Sequence, residues 1–491
     1  MTISIWRYSH LLLAVMSSVF IIIASLTGAI LSFEPIVEKS NAYKIDGIEE
    51  LSLAQTVSAL NNSYAEIIEL NIDYNQFVFA TVVTKKGDFL SGYINPLTAE
   101  YLGPKIEKKQ FFKFATNLHR SLFLKSTGRF FIGLASFLLV LITLTGFLLI
   151  VRRQGSLKSV FSKIVYENFF QYFHVVLGRL SFVSILIIAI TGVYLSLLRF
   201  SVLPENDEIS HFVEFKNIKM SDEKAPSDFD VFRNTKLIEV NSLNFPFSKD
   251  IEDNYTLRLK DKELLISQFT GHVLSAKNIG LTDGIKETSI NLHTGKGSYL
   301  WSIILAISSI NILFFVYSGF AMTLKRNKSK MQNKYKAKAC KYVILVGSEN
   351  GNTIRYANAF YKALIENGEQ VYMSELNEYT CYKKCEYLAI FTSTYGQGEA
   401  PVNANKFLEL LKTVKQKNTI KYAVVGFGST NYPDFCKFAI NITKTLKSID
   451  AKPFIKPAYI NNRSFDVFLN WCKLWSDNTG ILINISEKDV D

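Results

Sequence analysis

The sequence predicts an α-helical membrane protein of four spans in a parallel internal repeat, with α+β loops outside the membrane and a C-terminal α/β doubly wound domain. Three observations predict it. Four stretches carry no charge, each near or above the ~20 residues that cross a hydrocarbon core. Four of the six histidines recur at matching intervals from small hydroxyl–glycine pairs. Beyond residue 339 the pattern changes to apolar strands that each run into a glycine-containing loop. Composition agrees. Of 491 residues, 48% are hydrophobic and 20% charged, and mean hydropathy is +0.14, where soluble chains carry about 25% charge. The 38 Phe and 24 Tyr exclude disorder as the main state.

The uncharged stretches are Tyr8–Phe33, Phe130–Val151, Leu180–Leu198 and Gly297–Leu324. The first is too long for a signal peptide, and Glu34-Pro35 supplies no small-residue cleavage site, so it reads as a retained helix. Lys/Arg bias sets the direction. Residues 1–33, 151–172 and 323–338 sum to +1, +3 and +7, which accounts for nearly all of the formal +12. Alternate connections are thus basic, and both termini are expected on the cytoplasmic side. The cluster Lys105, Lys108, Lys109, Lys113, Arg120, Lys125 and Arg129 falls on the outer side, where long loops translocate regardless of charge. This positive-inside pattern argues against a nucleic-acid footprint and for contact with membrane lipid. Cys340, Cys381, Cys385, Cys436 and Cys472 all fall on the expected cytoplasmic side, consistent with reduced thiols, and no second Cys/His pair stands at a zinc spacing from Cys381 and Cys385.

The repeat carries the chemistry. His10 and His174 each precede a Thr-Gly pair (Thr27-Gly28, Thr191-Gly192) by 17 residues, and the two copies are offset by 164. His119 precedes Thr145-Gly146 by 26 residues, and His293 precedes Ser318-Gly319 by 25. A helix–loop–helix unit occurring twice in one orientation implies a pseudo-twofold along the membrane normal. His10 and His174 then lie at the cytoplasmic face, His119 and His293 at the outer face. Neutral imidazole is a good axial ligand for haem iron, and two facing imidazoles leave no open position for oxygen. The four histidines are therefore candidate ligands of two haems. C-x-x-C-H is absent, so the haems would be b type. Arg7, Arg120, Arg129 and Arg179 lie near them in sequence and suit propionates. The small Thr-Gly and Ser-Gly positions would admit a flat macrocycle or a neighbouring helix. The bland alternative is that interfacial His and Arg only anchor helices. His211 and His272 lack the register and read as exposed loop residues.

The outer loops read as small α+β units. Leu51–Leu60 has a helical pattern, and Ile67–Ile72, Gln76–Thr84 and Phe89–Ile94 have strand composition, ending in the turn-rich Tyr93–Gly103. Asn254–Leu259, Glu263–Gln268 and Phe269–Ser275 repeat this more weakly. This helix-then-sheet pattern resembles a PepSY domain. The forms NLHRSLFL (Asn117–Leu124), FHVVLGR (Phe173–Arg179) and NLHTGKG (Asn291–Gly297) resemble the PepSY-associated membrane helix family over about residues 1–326. That resemblance implies iron-regulated membrane proteins and haem-containing reductases of ferric siderophores. PepSY domains also serve as inhibitors in protease propeptides, but no peptidase motif follows.

In the last third, the apolar run Tyr342–Val346 enters GSENGNT (Gly347–Thr353) and then a helical pattern, Ile354–Asn367. Such a loop offers hydroxyls and N–H groups to a phosphate, and it is neither a G-K-[ST] P-loop nor G-x-G-x-x-G. Two further strand-to-loop units, Tyr387–Pro401 and Tyr422–Cys436, converge with it at the strand C-terminal ends. With Tyr395 and Tyr432 as flat walls, the site suits FMN. Residues 340–478 resemble flavodoxin, specifically the FMN domain of diflavin reductases, most closely in STYGQGEAP (Ser393–Pro401). By position, the resemblance implies that Ser348, Asn350, Gly351, Asn352 and Thr353 hold the phosphate. Tyr395 and Tyr432 would sandwich the ring. Ser393, Thr394, Gly396, Gly398, Gly426, Phe427, Gly428, Ser429 and Phe435 would line the two other loops. Ser429 stands where the family usually has Asn or Asp.

The domain boundaries expected are a first span (1–33), a PepSY-like region (34–129), a second and third span (130–198), a second PepSY-like region (199–296) and a fourth span (297–324). A basic linker (325–339), the flavodoxin-like domain (340–478) and a tail (479–491) follow. No sequence after the tail supplies the FAD/NADPH module of diflavin reductases, so either a separate NAD(P)H-linked reductase is expected as donor or the chain is a shortened version of a longer one. Together the resemblances imply an oxidoreductase of the bacterial inner membrane. It would pass electrons from cytoplasmic FMN through two b-type haems to an outer acceptor, a ferric chelate or siderophore. Two rivals stand beside it: a haem subunit serving a quinone or protein acceptor, and a haem-free PepSY sensor or inhibitor.

Overall fold

The computed structural model describes residues 3–39, 43–164, 166, 168–203, 211, 223–328, 331, 333–348, 351–394, 398–431 and 434–490. Among them, four helices are long and apolar enough to cross a membrane. The chain divides into two compact units.

One unit comprises Ser17–Val140 and Val183–Leu313. It opens on most of helix α1 (Ile3–Leu31), then α2 (Glu34–Lys39) and α3 (Leu53–Ser63). A capping box starts α3: the Gln55 N–H donates to Ser52 Oγ at 3.3 Å and the Ser52 N–H to Gln55 Oε1 at 2.9 Å. Strands β1 (Glu66–Ile72), β2 (Val78–Val83), β3 (Phe89–Ile94) and β4 (Tyr101–Gly103) follow. Then come α4 (Gln110–Ser121) and α5 (Lys125–Gln154), whose first half belongs here. The later segment holds the second half of α6 (Phe169–Arg199), α7 (Asp230–Asn234) and strands β5 (Val240–Asn244), β6 (Tyr255–Leu259), β7 (Lys262–Ile266) and β8 (Val273–Asn278). It ends with α8 (Leu281–Thr294) and the start of α9 (Tyr299–Lys328).

The two sets of strands form one antiparallel sheet in the order β4-β3-β2-β1-β5-β6-β7-β8. Each half is a meander, and the halves meet where β1 pairs β5 through Glu69↔Asn244, Leu70↔Leu243 and Asn71↔Ser242. That mirror order extends the helical repeat into the sheet. β2 alternates buried and half-buried residues, as one covered face requires. Leu53, Val57, Leu60, Phe229, Phe232, Leu243 and Leu257 form the covering core.

Among the elements that escape the sequence pattern, besides the short α2 and α7, are β5, α4 and α8. β5 lies in KLIEVNSLNF, whose charged and polar residues break the strand alternation. Helices α4 and α8 lie in stretches read as loop, and each ends abruptly before a long helix. Leu122 closes α4 in the left-handed region (φ 51°), and Gly295 closes α8 likewise (φ 80°). Helix α6 also starts at Phe169 rather than Leu180, because Arg179 ends the uncharged run but not the helix.

The other unit comprises Met1–Met16, Leu141–Phe182 and Phe314–Asp491. Its larger part is a parallel sheet of β9 (Tyr342–Gly347), β10 (Val371–Glu375), β11 (Tyr387–Ser393), β12 (Lys421–Gly428), β13 (Lys452–Pro453) and β14 (Ala458–Asn461). The order is β10-β9-β11-β12-β13, with β14 also on β12. Helices α10 (Asn352–Glu366), α11 (Phe407–Thr413), α12 (Lys437–Ser448) and α13 (Phe465–Thr479) complete it. β9 is buried at every position, the mark of a central parallel strand. Phe360, Phe391, Trp471 and Trp475 fill one core, and Leu345, Ile390, Phe407 and Val424 another.

Candidate functional site

The four repeat histidines share one local arrangement. Each ring meets the hydroxyl of a Thr-Gly or Ser-Gly pair on the other long helix of its own repeat. His10 Nδ1 lies 3.0 Å from Thr145 Oγ1, and His119 Nδ1 lies 2.9 Å from Thr27 Oγ1. His293 Nδ1 lies 2.9 Å from Thr191 Oγ1, and His174 Nδ1 lies 2.7 Å from Ser318 Oγ. Thr27, Thr145, Thr191 and Ser318 are all buried.

The direction of these bonds is determined. Each threonine hydroxyl donates its one proton to its own helix: Thr27 to Ile23 O (2.7 Å), Thr145 to Leu141 O (2.8 Å), Thr191 to Ile187 O (2.7 Å). It therefore accepts from the imidazole. His10 Nδ1 also reaches Ile142 O and His119 Nδ1 reaches Ala24 O, both at 3.0 Å, and a carbonyl can only accept. The proton sits on Nδ1, and Nε2 keeps its lone pair with no hydrogen-bond partner among the described residues. This is how proteins fix a metal-binding imidazole.

The glycines leave room for an imidazole as well as for a neighbouring helix. A Cβ at Gly146 would stand 3.1 Å from His10 Cε1, at Gly192 3.3 Å from His293 Cε1, and at Gly28 3.5 Å from His119 Cε1. At Gly192 and Gly28 it would also meet Ser136 Oγ of α5 at 2.9 Å and Ser309 Oγ of α9 at 3.4 Å, whereas at Gly319 it would meet nothing within 4 Å.

His119 and His293 face each other, their ring centroids 6.1 Å apart and their planes at 54°. Two metal–nitrogen bonds of about 2 Å and two ring half-widths of about 1.1 Å give about 6 Å, so one ion fits between them. Burial, with His293 next, holds His119 down to about 4, and burial lowers His293 as well. Both stay neutral at ordinary pH, as a ligand must.

Both rings line a cavity of about 630 Å³, within the roughly 300–1,000 Å³ usual for cofactor pockets. Its walls are apolar (Ile21, Leu139, Ile188, Leu305, Ile312), and Lys108, Arg120, Arg129, Arg199, Lys286 and Lys296 also line it, against Glu34 and Glu38. Glu34 is paired with Lys108 at 2.7 Å, and Glu38 accepts from the Tyr74 hydroxyl. Arg129 Nε and Thr116 Oγ1 are buried in this lining without a hydrogen-bond partner among the described residues. A flat apolar group bearing carboxylates suits the cavity: aliphatic walls for its faces, two imidazoles 6.1 Å apart, and donors for its acids.

Of the arginines singled out in sequence, Arg120 and Arg129 reach this cavity. Arg179 instead donates to Ser162 O (2.9 Å) and Val160 O (3.4 Å), bracing the α5–α6 connection. Arg199, Lys286 and Lys296 were missed, because sequence proximity to a histidine does not report the opposite helix end. His211 departs from the exposed loop reading. Its side chain is 7% exposed, and its Nε2 lies 3.3 Å from Glu263 Oε1. His272 is exposed.

In the parallel sheet, the three candidate loops leave neighbouring strands at one end. Gly347 pairs with Thr392, Thr392 with Gly426, and Ser393 with Phe427. The strand order 2-1-3-4-5 puts the switch point beside β9, where ligands of such sheets bind. Gly351 caps α10 in the left-handed region (φ 81°), and its N–H donates to Ser348 Oγ at 3.1 Å. Asn352 and Thr353 open the helix, so their N–H groups are unsatisfied within it and suit an anion. Thr394 Oγ1 accepts from the Phe438 N–H (3.2 Å), and Gly398 adopts φ 86°. Gly426 and Gly428 are close-packed: a Cβ would meet Ala439 at 2.6 Å and the Cys436 backbone at 3.0 Å. Phe427 and Ser429 are buried, and Phe435 is half-buried. Asn350, Tyr395, Gly396 and Tyr432 lie outside the described residues.

Sequence reasoning missed Asn403. Its Oδ1 accepts the Ser348 N–H at 2.9 Å, and its Nδ2 reaches Glu375 Oε1 (3.3 Å) and Val346 O (3.4 Å). Asn461 similarly accepts the Thr430 N–H at 3.0 Å. A buried Asn two residues after a loop's closing Pro was the available signal for the first.

Comparison with known proteins finds two family matches along the chain. The family model of the PepSY-associated TM region matches residues 7–326, and that of flavodoxin matches residues 344–463. The chain is 31% identical over 119 residues to the sulfite reductase (NADPH) flavoprotein alpha-component of Mannheimia succiniciproducens, covering 23% of this chain and 20% of that one. It is 30% identical over 139 residues to NADPH-dependent diflavin oxidoreductase 1 of Schizosaccharomyces pombe, covering 26% and 24%. The chain thus spans a quarter or less of the length of these relatives. A solved flavodoxin of Streptococcus pneumonia TIGR4 aligns over 29% of this chain and 99% of its own, at 23% identity and TM-score 0.26. With a single family model spanning four apolar helices, the chain is a multi-pass membrane protein that belongs to the PepSY-associated TM region family and carries a flavodoxin domain of the diflavin-reductase type.

Proposed function

We propose that this protein is a transmembrane electron conduit, carrying electrons from FMN in the flavodoxin domain through two b-type haems to an acceptor across the membrane. The observation that carries the reading is the His119–His293 pair: neutral rings 6.1 Å apart, each pinned through Nδ1, in a cavity lined with cations. When bound, flavin and haem iron supply the one-electron relay between a two-electron donor and a one-electron acceptor.

The chain's own residues hold and insulate. His119 and His293 would hold one iron, and His10 and His174 the other. Arg129 and Thr116 would give their unmet donors to propionates. In the flavodoxin domain, Ser348, Asn350, Gly351, Asn352 and Thr353 would bind the phosphate. Tyr395 and Tyr432 would cover the ring faces, while Ser393, Thr394, Gly396, Gly398, Gly426, Phe427, Gly428, Ser429 and Phe435 shape the remaining edges. The Lys/Arg bias supports an inner-membrane orientation with both termini and the flavodoxin domain cytoplasmic. The donor is then an NAD(P)H-linked reductase.

The acceptor we favour is a ferric siderophore or other ferric chelate. Reduction to Fe(II) weakens hard oxygen ligation and frees the metal. The test is cofactor content and the visible spectrum of the detergent-purified chain. Two haems and one FMN per chain, with reduced b-type bands lost on His119→Ala, support the conduit. A colourless membrane region with full FMN loading ends it and favours a sensor or inhibitor. Stopped-flow oxidation of the reduced haems by ferric siderophores against a quinone analogue then decides the acceptor.

A further inference from the structure

The four histidine sites share a design, but one of them differs. His10, His119 and His293 each have two acceptors for Nδ1, the hydroxyl and the carbonyl three residues before it: Ile142, Ala24 and Ile188 respectively. His174 has Ser318 Oγ alone among the described residues, at 2.7 Å. The packing gives the reason. At Gly146 a Cβ would crowd His10, whereas at Gly319 it would meet nothing within 4 Å. The His174 ring therefore stands off the helix groove, tilted at 55° beside the Phe315 ring 5.1 Å away. The carbonyl three residues before Ser318 is that of Phe315, and it takes the Ser318 hydroxyl proton at 3.2 Å. Ser318 is fully buried, so water does not substitute for it.

We propose that Ser318 is the positioning residue of His174. Its hydroxyl fixes the tautomer and donor strength of that imidazole, which makes His174 the one ligand whose electronic character hangs on a single side chain. This rests on the reading of the four histidines as haem ligands. An axial imidazole that gives its Nδ1 proton to an acceptor becomes a stronger donor at Nε2 and favours the ferric state. At three sites loss of the hydroxyl leaves the carbonyl. At His174 it leaves nothing.

The test uses the full chain, purified with its haems, in four forms: wild type, Ser318→Ala, Ser318→Thr and Thr145→Val. The readouts are haem content, the midpoint potential of each haem by redox titration, and the low-temperature electron paramagnetic resonance of the ferric state. In Ser318→Ala, one of the two haems is expected to titrate at a higher potential with altered ferric resonances, or to be lost. Ser318→Thr, which restores the hydroxyl, stays at the wild-type position. Thr145→Val, on the partner ligand of the same haem, shifts it less because Ile142 O remains. Equal shifts in Ser318→Ala and Thr145→Val overturn the inference, as does an unmoved potential in Ser318→Ala with both haems bound. Haem loss in Ser318→Thr as severe as in Ser318→Ala also overturns it, since a packing role alone predicts that. A wild-type chain that binds FMN but no haem overturns the ligand reading itself and this inference with it.

Discussion

Replacing Asn403 with Ala should weaken the first flavodoxin loop through its backbone support at Ser348. Asn403 is 7% exposed and connects three segments: the Ser348 N–H at 2.9 Å, Glu375 Oε1 at 3.3 Å and Val346 O at 3.4 Å. The two longer contacts are near the limit of a hydrogen bond and contribute little. The first is a full N–H···O bond to a buried backbone donor. Leaving such a donor unmet costs about 1–3 kcal/mol. That cost divides between two observables. If the loop relaxes in the ligand-free protein so that Ser348 reaches water, the cost appears on binding, and 1–3 kcal/mol corresponds to roughly a 5- to 150-fold rise in Kd. If the loop is rigid, the cost appears as lost stability of the flavodoxin domain instead. The assay is therefore paired: FMN fluorescence quenching on titration, and urea unfolding followed by the domain's tryptophans, Trp471 and Trp475. The expected result is a combined loss of about 1–3 kcal/mol across the two. An Asn403→Ala chain with unchanged FMN affinity and unchanged unfolding midpoint would refute the reasoning.

Three further outcomes follow from the geometry. Gly146→Ala places a Cβ 3.1 Å from His10 Cε1, whereas Gly319→Ala meets open space. The first should reduce haem content and the second should not, as pyridine-haemochrome absorbance would read. Leu70 and Leu243 are opposed and fully buried at the β1–β5 seam, so Leu243→Ala should cost about 2–5 kcal/mol and raise proteolysis of both sheet halves together. Burial pushes the Cys385 and Cys436 thiols up to about 12. Since the folded values lie far above pH 8, almost no thiolate is present there, and alkylation of both should wait for unfolding or a much higher pH. Mass spectrometry after iodoacetamide labelling at pH 8 should find them unmodified in the native chain and modified in urea.

Much of this molecule is legible in its sequence because two strong periodicities mark it. Uncharged runs of membrane length give the four spans, and apolar strands entering glycine loops give the parallel sheet. What the sequence hides is mostly pairing. The intervals from histidines to hydroxyl–glycine pairs reveal a repeat, yet not that each hydroxyl belongs to a histidine on another helix. His10 precedes Thr27 in its own helix but bonds Thr145, and His119 precedes Thr145 but bonds Thr27. Linear spacing does not report these partners, because each hydroxyl meets a histidine from the opposite end of its hairpin's sequence. The β1–β5 seam is hidden for a similar reason: an antiparallel pairing between distant strands leaves no local turn to read. Helix α4 was obscured by cationic composition, since Lys113 and Arg120 suggest a loop until their place on one amphipathic helix is seen.

This crossed pairing bears on how the repeat works. α1 and α5 exchange hydroxyls for histidines: Thr145 of α5 serves His10, and Thr27 of α1 serves His119, which precedes α5. α6 and α9 do the same, through Ser318 to His174 and Thr191 to His293. Each repeat is therefore a complete hairpin that orients two imidazoles, one at each end, with no help from the other repeat. The facing pair His119–His293, however, takes one ring from each. Orientation is thus an internal property of a repeat, while the paired site arises from their association. A metal held between the rings would then bind the two hairpins to each other, so its binding energy would add to the helix–helix packing that joins them. Packing within the membrane has little hydrophobic drive, so such a contribution would count. On that physical ground a metal held by His119 and His293 would serve the cohesion of the four-helix region as well as its chemistry.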